Sequence, residues 1–161
     1  MSLLNRRFLF AMPLLLLAAC GFQPVYGPGG SGTALQNAVQ VDAPDDAFSY
    51  TLVREIETRL GRADSPRYAL ALTVDTSQEG LAIDSEDNTT RYNLVGDVDF
   101  ALRNISTGQV VTSGNVENFT GYSATGSTVA TLAAERDAQK RLMVMLAEQL
   151  VTRLYAADLA Q

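Results

Sequence analysis

Two apolar periods alternate along this chain, and the changes between them mark out its elements. Phe48, Leu52, Ile56 and Leu60 recur every four positions, with Val53 widening the stripe. That is the spacing of a helix with one buried face. Asp45 and Asp46 stand just before it, placed to accept from the free amides of a first turn, and Gly61 stands where such a helix stops. Residues 67–75 switch to strict alternation, with Tyr68, Leu70, Leu72 and Val74 on one side and Ala69, Ala71, Thr73 and Asp75 on the other. A polar stretch, residues 76–90, separates this run from a second one. There Tyr92, Leu94, Gly96, Val98, Phe100 and Leu102 share a face opposite Asn93, Val95, Asp97, Asp99, Ala101 and Arg103. Residues 104–108 read as a tight turn and residues 109–120 as a third strand, so the last two strands form a hairpin. Earlier, Leu35, Val39 and Val41 mark a short first strand within residues 34–41.

The strongest pattern comes last. Residues 128–155 contain neither glycine nor proline, and Leu132, Leu142, Met143, Leu146, Leu150 and Leu154 populate a broad apolar face. Arg136, Lys140, Glu148 and Arg153 fall largely outside it. A helix of that length spans about 40 Å. The order of elements predicts an α+β fold. The economical form is a two-layer sandwich, with two helices packed on one face of a small, mainly antiparallel or mixed β-sheet of about four strands, the other face being more polar. Residues 34–158 make up this single domain.

The first nineteen residues follow a different logic. Arg6 and Arg7 precede an apolar run over residues 8–19 that contains Pro13. A bilayer-spanning helix needs about 20 apolar residues, so the run reads as a signal peptide. Leu17-Ala18-Ala19-Cys20 matches the lipobox of bacterial lipoproteins. Small side chains let the backbone lie in a membrane peptidase, and the thiol of Cys20 accepts diacylglycerol before cleavage frees an amine for another acyl chain. Two or more chains anchor a protein stably where one is marginal. Residues 20–33, with GPGGSG at 27–32, then read as a lipidated, Gly/Pro-rich tether. Gly21 replaces the aspartate that commonly retains such lipoproteins at the inner membrane, so the sorting rule places the chain on the periplasmic side of the outer membrane. Asn5-Arg6-Arg7-Phe8-Leu9 comes near a twin-arginine signal but is displaced by one position, favouring general secretion.

Charge and chemistry narrow the reading further. Apolar residues make up 47% of the chain and charged residues 19%, a globular rather than disordered composition. Removal of the signal peptide with its two arginines leaves ten basic against eighteen acidic side chains, a net −8, which opposes broad binding to nucleic acid. The single cysteine permits no internal disulfide, and the absence of histidine removes Ser-His-Asp and Cys-His catalysis. Asp84, Glu86 and Asn88 imitate the start of a calcium loop, but Thr89 stands where its glycine belongs and Val95 where its bidentate glutamate belongs. Asp97 and Asp99 lie about 7 Å apart on one strand face. Paired carboxylates serve glycoside hydrolysis, yet nothing nearby in the sequence raises either pKa. The sequence therefore supports neither an enzyme nor a bound cofactor or metal.

Cys20-Gly21-Phe22-Gln23-Pro24-Val25-Tyr26-Gly27, directly after the lipobox, resembles the opening of the LptE family of lipopolysaccharide-assembly lipoproteins. The order of elements and the end of the last helix, Gln149-Leu150-Val151-Thr152-Arg153-Leu154, are similar to that family too. The resemblance implies a two-layer α/β domain that plugs an LptD-type outer-membrane β-barrel. It implies that the domain helps that barrel assemble and assists delivery of lipopolysaccharide to the outer leaflet. The −8 charge means that phosphates of lipopolysaccharide would need a local basic cluster. Arg91 and Arg103, near the ends of one strand, and Arg136 and Lys140, one helical turn apart, are the candidates, against a plainer role as solvated charges. The competing reading is an outer-membrane lipoprotein that serves another envelope assembly or secretion machine as an interaction module.

Overall fold

The computed structural model describes residues 25–159, so the signal segment and Cys20 lie outside the described residues. The chain runs α1 (Ser31–Leu35), β1 (Val39–Val41), α2 (Ala47–Leu60), β2 (Tyr68–Ile83), β3 (Thr89–Asn104), β4 (Val110–Ser123) and α3 (Thr128–Tyr155). The strands form one mixed sheet in the order β1-β2-β3-β4. β1 is parallel to β2, with Val39 opposite Tyr68, and a parallel pair needs a crossover, which α2 supplies. β2, β3 and β4 form an antiparallel meander. This is the α+β two-layer sandwich that the periodicity predicts, with α1 added. Among the described residues no helix is long and apolar enough to cross a membrane.

The caps explain where α2 begins and ends. Asp46 accepts from the amide of Ser49 at 2.6 Å, and the Ser49 hydroxyl accepts from the amide of Asp46 at 2.9 Å, a reciprocal capping box. The Ser49 hydroxyl, within hydrogen-bond reach of the Asp46 carboxylate at 2.6 Å, and then the Ser49 amide hold that carboxyl below its ordinary pKa. At the other end Gly61 takes φ 76°, a left-handed turn that would strain other residues.

The core lies between the sheet and the helices. On β3 the residues Leu94, Val98, Phe100 and Leu102 are buried, with Gly96 among them. Leu142, Leu146, Leu150 and Leu154 of α3 are fully enclosed against them and against Leu52, Ile56 and Leu60 of α2. Each such leucine contributes about 1.5–3 kcal/mol of burial. Gly96 sets how closely α3 approaches. A Cβ there would lie 2.8 Å from Leu146 Cδ1 and 3.0 Å from Leu142 Cδ2, so the helix rests on bare backbone at that point.

Three segments differ from the periodic reading. Residues 76–90 are not a separator: β2 and β3 continue through them, paired from Tyr68 opposite Asn104 to Ile83 opposite Thr89. Residues 76–83 of β2 are exposed on both faces, so apolar alternation disappears while the backbone ladder persists. Leu132 is exposed rather than in the core, since the buried stripe of α3 begins only at Ala138. The first strand is confined to Val39–Val41, since α1 occupies Ser31–Leu35.

α1 belongs to a strap that docks on the end of α3. Gly32 donates to the Val25 carbonyl at 3.0 Å, and a Cβ on Gly32 would lie 2.7 Å from Val25 Cγ1. The Tyr26 hydroxyl donates to Tyr155 Oη at 3.0 Å, with the rings edge-to-face at 5.7 Å. Ser31 Oγ donates to the Tyr155 carbonyl. Burial, and then the hydrogen bond shared with the Tyr26 hydroxyl, push the Tyr155 hydroxyl up to about 12.

Two outcomes test this packing. Gly96→Val should lower unfolding stability by about 1–3 kcal/mol through overpacking against Leu142 and Leu146, as read by denaturant titration. For Tyr155 the folded pKa stands above the unfolded value of 10.0, so its contribution is complete below that pH and is lost as pH rises toward the folded value. Tyr26→Phe should remove one cause of the shift, so one tyrosine in ultraviolet difference titration should ionise at lower pH than in the parent.

Candidate functional site

The four basic candidates occupy two separate surfaces. Arg91 and Arg103 project on the sheet face opposite the helices; Arg91 is opposite Ser123, and Arg103 is opposite Ala69 and Val110. Twelve residues of strand separate them by about 40 Å, so they are not one cluster. Arg136 and Lys140 lie in the helical layer and do come together. With Ala47, Phe48, Thr51, Gln139 and Met143 they line a recess of about 140 Å³ where the start of α2 meets α3. None of the four has an ion pair among the described residues, whereas Arg54, Arg59, Arg62 and Arg141 do. The neighbouring Arg141 pairs with Asp137 and donates to the Gly121 carbonyl at 3.4 Å.

The uncovered sheet face has its own order. Asp75, Asp97 and Glu117 stand in one cross-strand row, an arrangement that costs stability through like-charge repulsion. Asn115 bridges it to the next row, donating from Nδ2 to Asp97 Oδ1 at 2.7 Å and to Asp99 Oδ1 at 3.1 Å. The two aspartates weighed as an acid–base pair are thus joined by one amide on an open sheet surface. Beyond this row Phe119, 65% exposed, faces outward opposite Val95. Periodicity did not flag Phe119, because an aromatic residue in a strand ordinarily reads as core.

The acidic tip of the β2–β3 hairpin is turn chemistry. Asp84 Oδ1 accepts from the amides of Glu86 at 2.8 Å and Asn88 at 2.9 Å. Those bonds, led by the one from Asn88, hold the Asp84 carboxyl below its ordinary pKa. Asp87 adopts φ 62°, which closes the turn. Among the described residues no group of three or more potential ligands is arranged for a metal ion.

Comparison with known proteins fixes the family. A family model described as LptE, lipopolysaccharide-assembly, matches residues 36–154. A lipoprotein from Caulobacter crescentus has a similar structure, with TM-score 0.66 and 21% identity, over 78% of this chain and 93% of that one. Lipoprotein B from Nitrosomonas europaea gives 0.59 and 15%, over 84% and 91%. Rare lipoprotein B from Shewanella oneidensis gives 0.57 and 13%, over 74% and 92%. At these identities the likeness is one of fold. No curated protein matches the sequence. The family model covers most of the chain and includes both layers of the sandwich, and on that ground this chain belongs to the LptE family of lipopolysaccharide-assembly proteins.

Proposed function

We propose that the chain is exported, acylated at Cys20 and held on the periplasmic side of the outer membrane. There it plugs and helps assemble an LptD-type β-barrel and assists delivery of lipopolysaccharide to the outer leaflet. The observation that carries this reading is the family match over residues 36–154. Two further features agree with it. The lipobox ends at Cys20. The domain presents a polar sheet face, and barrel lumens are polar. The role is one of binding and assembly without catalysis, and the only attached group it requires is the lipid on Cys20.

Contact with lipopolysaccharide falls to the basic positions. Arg136 and Lys140 are the stronger pair, being adjacent beside one recess, so two charges can meet one phosphorylated headgroup. Arg91 and Arg103 are too far apart to share a phosphate and would act singly.

Purification of the acylated protein from detergent-solubilised membranes should recover an LptD-type barrel in stoichiometric amount. Recovery of a different envelope machine in its place would refute the barrel assignment. Cys20→Ala should abolish acylation and leave an unprocessed precursor, visible by intact mass. Arg136→Glu with Lys140→Glu should weaken retention of lipopolysaccharide several-fold, and more than Arg91→Glu with Arg103→Glu, in a direct binding assay on the mature protein.

A further inference from the structure

β4 is an edge of the sheet along all 14 of its residues, since no other strand pairs with its far side among the described residues. Natural edge strands are commonly blunted by shortness, Lys or Pro. β1, at the opposite edge, has three residues, whereas β4 is long and contains neither Lys nor Pro. Two bonds show which of its backbone groups turn away from β3. The Phe119 amide donates to Asn118 Oδ1 at 2.8 Å, and the Gly121 carbonyl accepts from Arg141 at 3.4 Å. In an antiparallel ladder the amides and carbonyls of alternate residues point to the same side. Those of Ser113, Asn115 and Glu117 therefore point outward too, and among the described residues no backbone group meets them.

This open stretch runs beside a groove. Residues 115–118 of β4 and Met145, Gln149 and Thr152 of α3 border a space of about 650 Å³. A fifth strand laid on β4 would turn alternate side chains into that space and the others onto the uncovered sheet face, beside Glu117. Glu148 and Arg153 also border the groove with opposite charges, so the groove itself selects no sign.

The sheet face does select one. Asp75, Asp97 and Glu117 line up across three strands. The basic residues of that face, Arg91 and Arg103, each stand six positions along β3 from Asp97, about 20 Å away. A Lys or Arg on a fifth strand beside Glu117 would give the row the charge it lacks. A second copy cannot supply it by edge-to-edge pairing, because β1, β2 and β4 contain no Lys or Arg. Two positions along the same face, Phe119 is 65% exposed and suits an apolar neighbour.

We propose that β4 is a docking edge, at which residues 113–117 take an extended segment of a partner protein as a fifth strand. That segment carries a Lys or Arg beside Glu117 and an apolar side chain two residues away, beside Phe119. Backbone pairing supplies the affinity, and the alternate side chains select the segment. The need for a protein partner rests on the assembly role proposed above. Inside a barrel the segment comes from chain outside the wall, because wall strands already pair on both edges.

The test is residue-level hydrogen exchange on the acylated chain, alone in detergent and in the complex that co-purifies with it. The amides of Ser113, Asn115 and Glu117 should exchange several-fold more slowly in the complex. Those of Thr112, Gly114 and Val116, which face β3, should change little. Glu117→Arg should reverse most of the slowing, with the β3-facing amides still protected as a sign that the fold is intact. Unchanged exchange at the three outward amides, or equal slowing in Glu117→Arg, overturns the proposal. Slowing that appears in the chain alone as its concentration rises assigns the edge to a second copy and overturns it too. The identity of the partner tests the barrel reading separately. An LptD-type barrel without alternating protection refutes the docking edge alone, and alternating protection by a different protein refutes the barrel alone. An acylated chain with which no protein co-purifies refutes both.

Discussion

The contact between α3 and the inner row of β3 organises this domain. Leu142 and Leu146 settle on the bare backbone of Gly96, and Leu150 and Leu154 continue the same seam toward the end of the helix. Because Gly96 removes one side chain from the row, the helix comes close enough for its leucines to be fully enclosed. Every other element finds its place relative to that seam. α2 lies alongside α3 and completes the lid over the sheet. β1 pairs only at the end of β2, where α2 returns the chain.

The seam is shorter than the sheet, and the difference shapes the molecule. Burial on β3 runs from Leu94 to Leu102, about 30 Å of strand, whereas the hairpin continues to a tip at residues 84–88. Beyond the last leucine contact no apolar face is required, so the sequence there is free to be polar and acidic. The strands persist because their backbone groups satisfy one another across the ladder. The same economy leaves Val129 and Leu132 exposed in the first turns of α3.

Periodicity made the seam legible. Leucines at 142, 146, 150 and 154 can be aligned on one helical face without a structure, and the strict alternation of residues 68–74 and 92–102 gave the faces of β2 and β3. Periodicity reports burial, however, and fails wherever an element leaves the core. It placed Leu132 inside and read residues 76–90 as a gap. It also read Val25 to Thr33 as a leash, because glycine-rich sequence is the same whether glycine supplies freedom or, as at Gly32 beneath Val25, close contact. For the candidate site, the helical spacing of Arg136 and Lys140 was visible in sequence. Their neighbours Phe48 and Thr51 were not, since those come from α2. Arg91 and Arg103 share a strand face, but their separation prevents them from sharing a ligand.

The acidic row of Asp75, Asp97 and Glu117 adds a last constraint. Three carboxylates across adjacent strands repel one another, and Asn115 relieves only part of that by donating to Asp97 and Asp99. Burying this face against an apolar surface would strip water from the row and raise its cost sharply. The open face therefore suits a wet or basic surrounding and opposes an apolar one. Lipid tails are an unsuitable neighbour for it, and a polar barrel lumen is a suitable one. Charge thus restricts the environment of the sheet for the same physical reason that apolar packing restricts the position of α3: each face tolerates only a neighbour that replaces what water or protein supplied before.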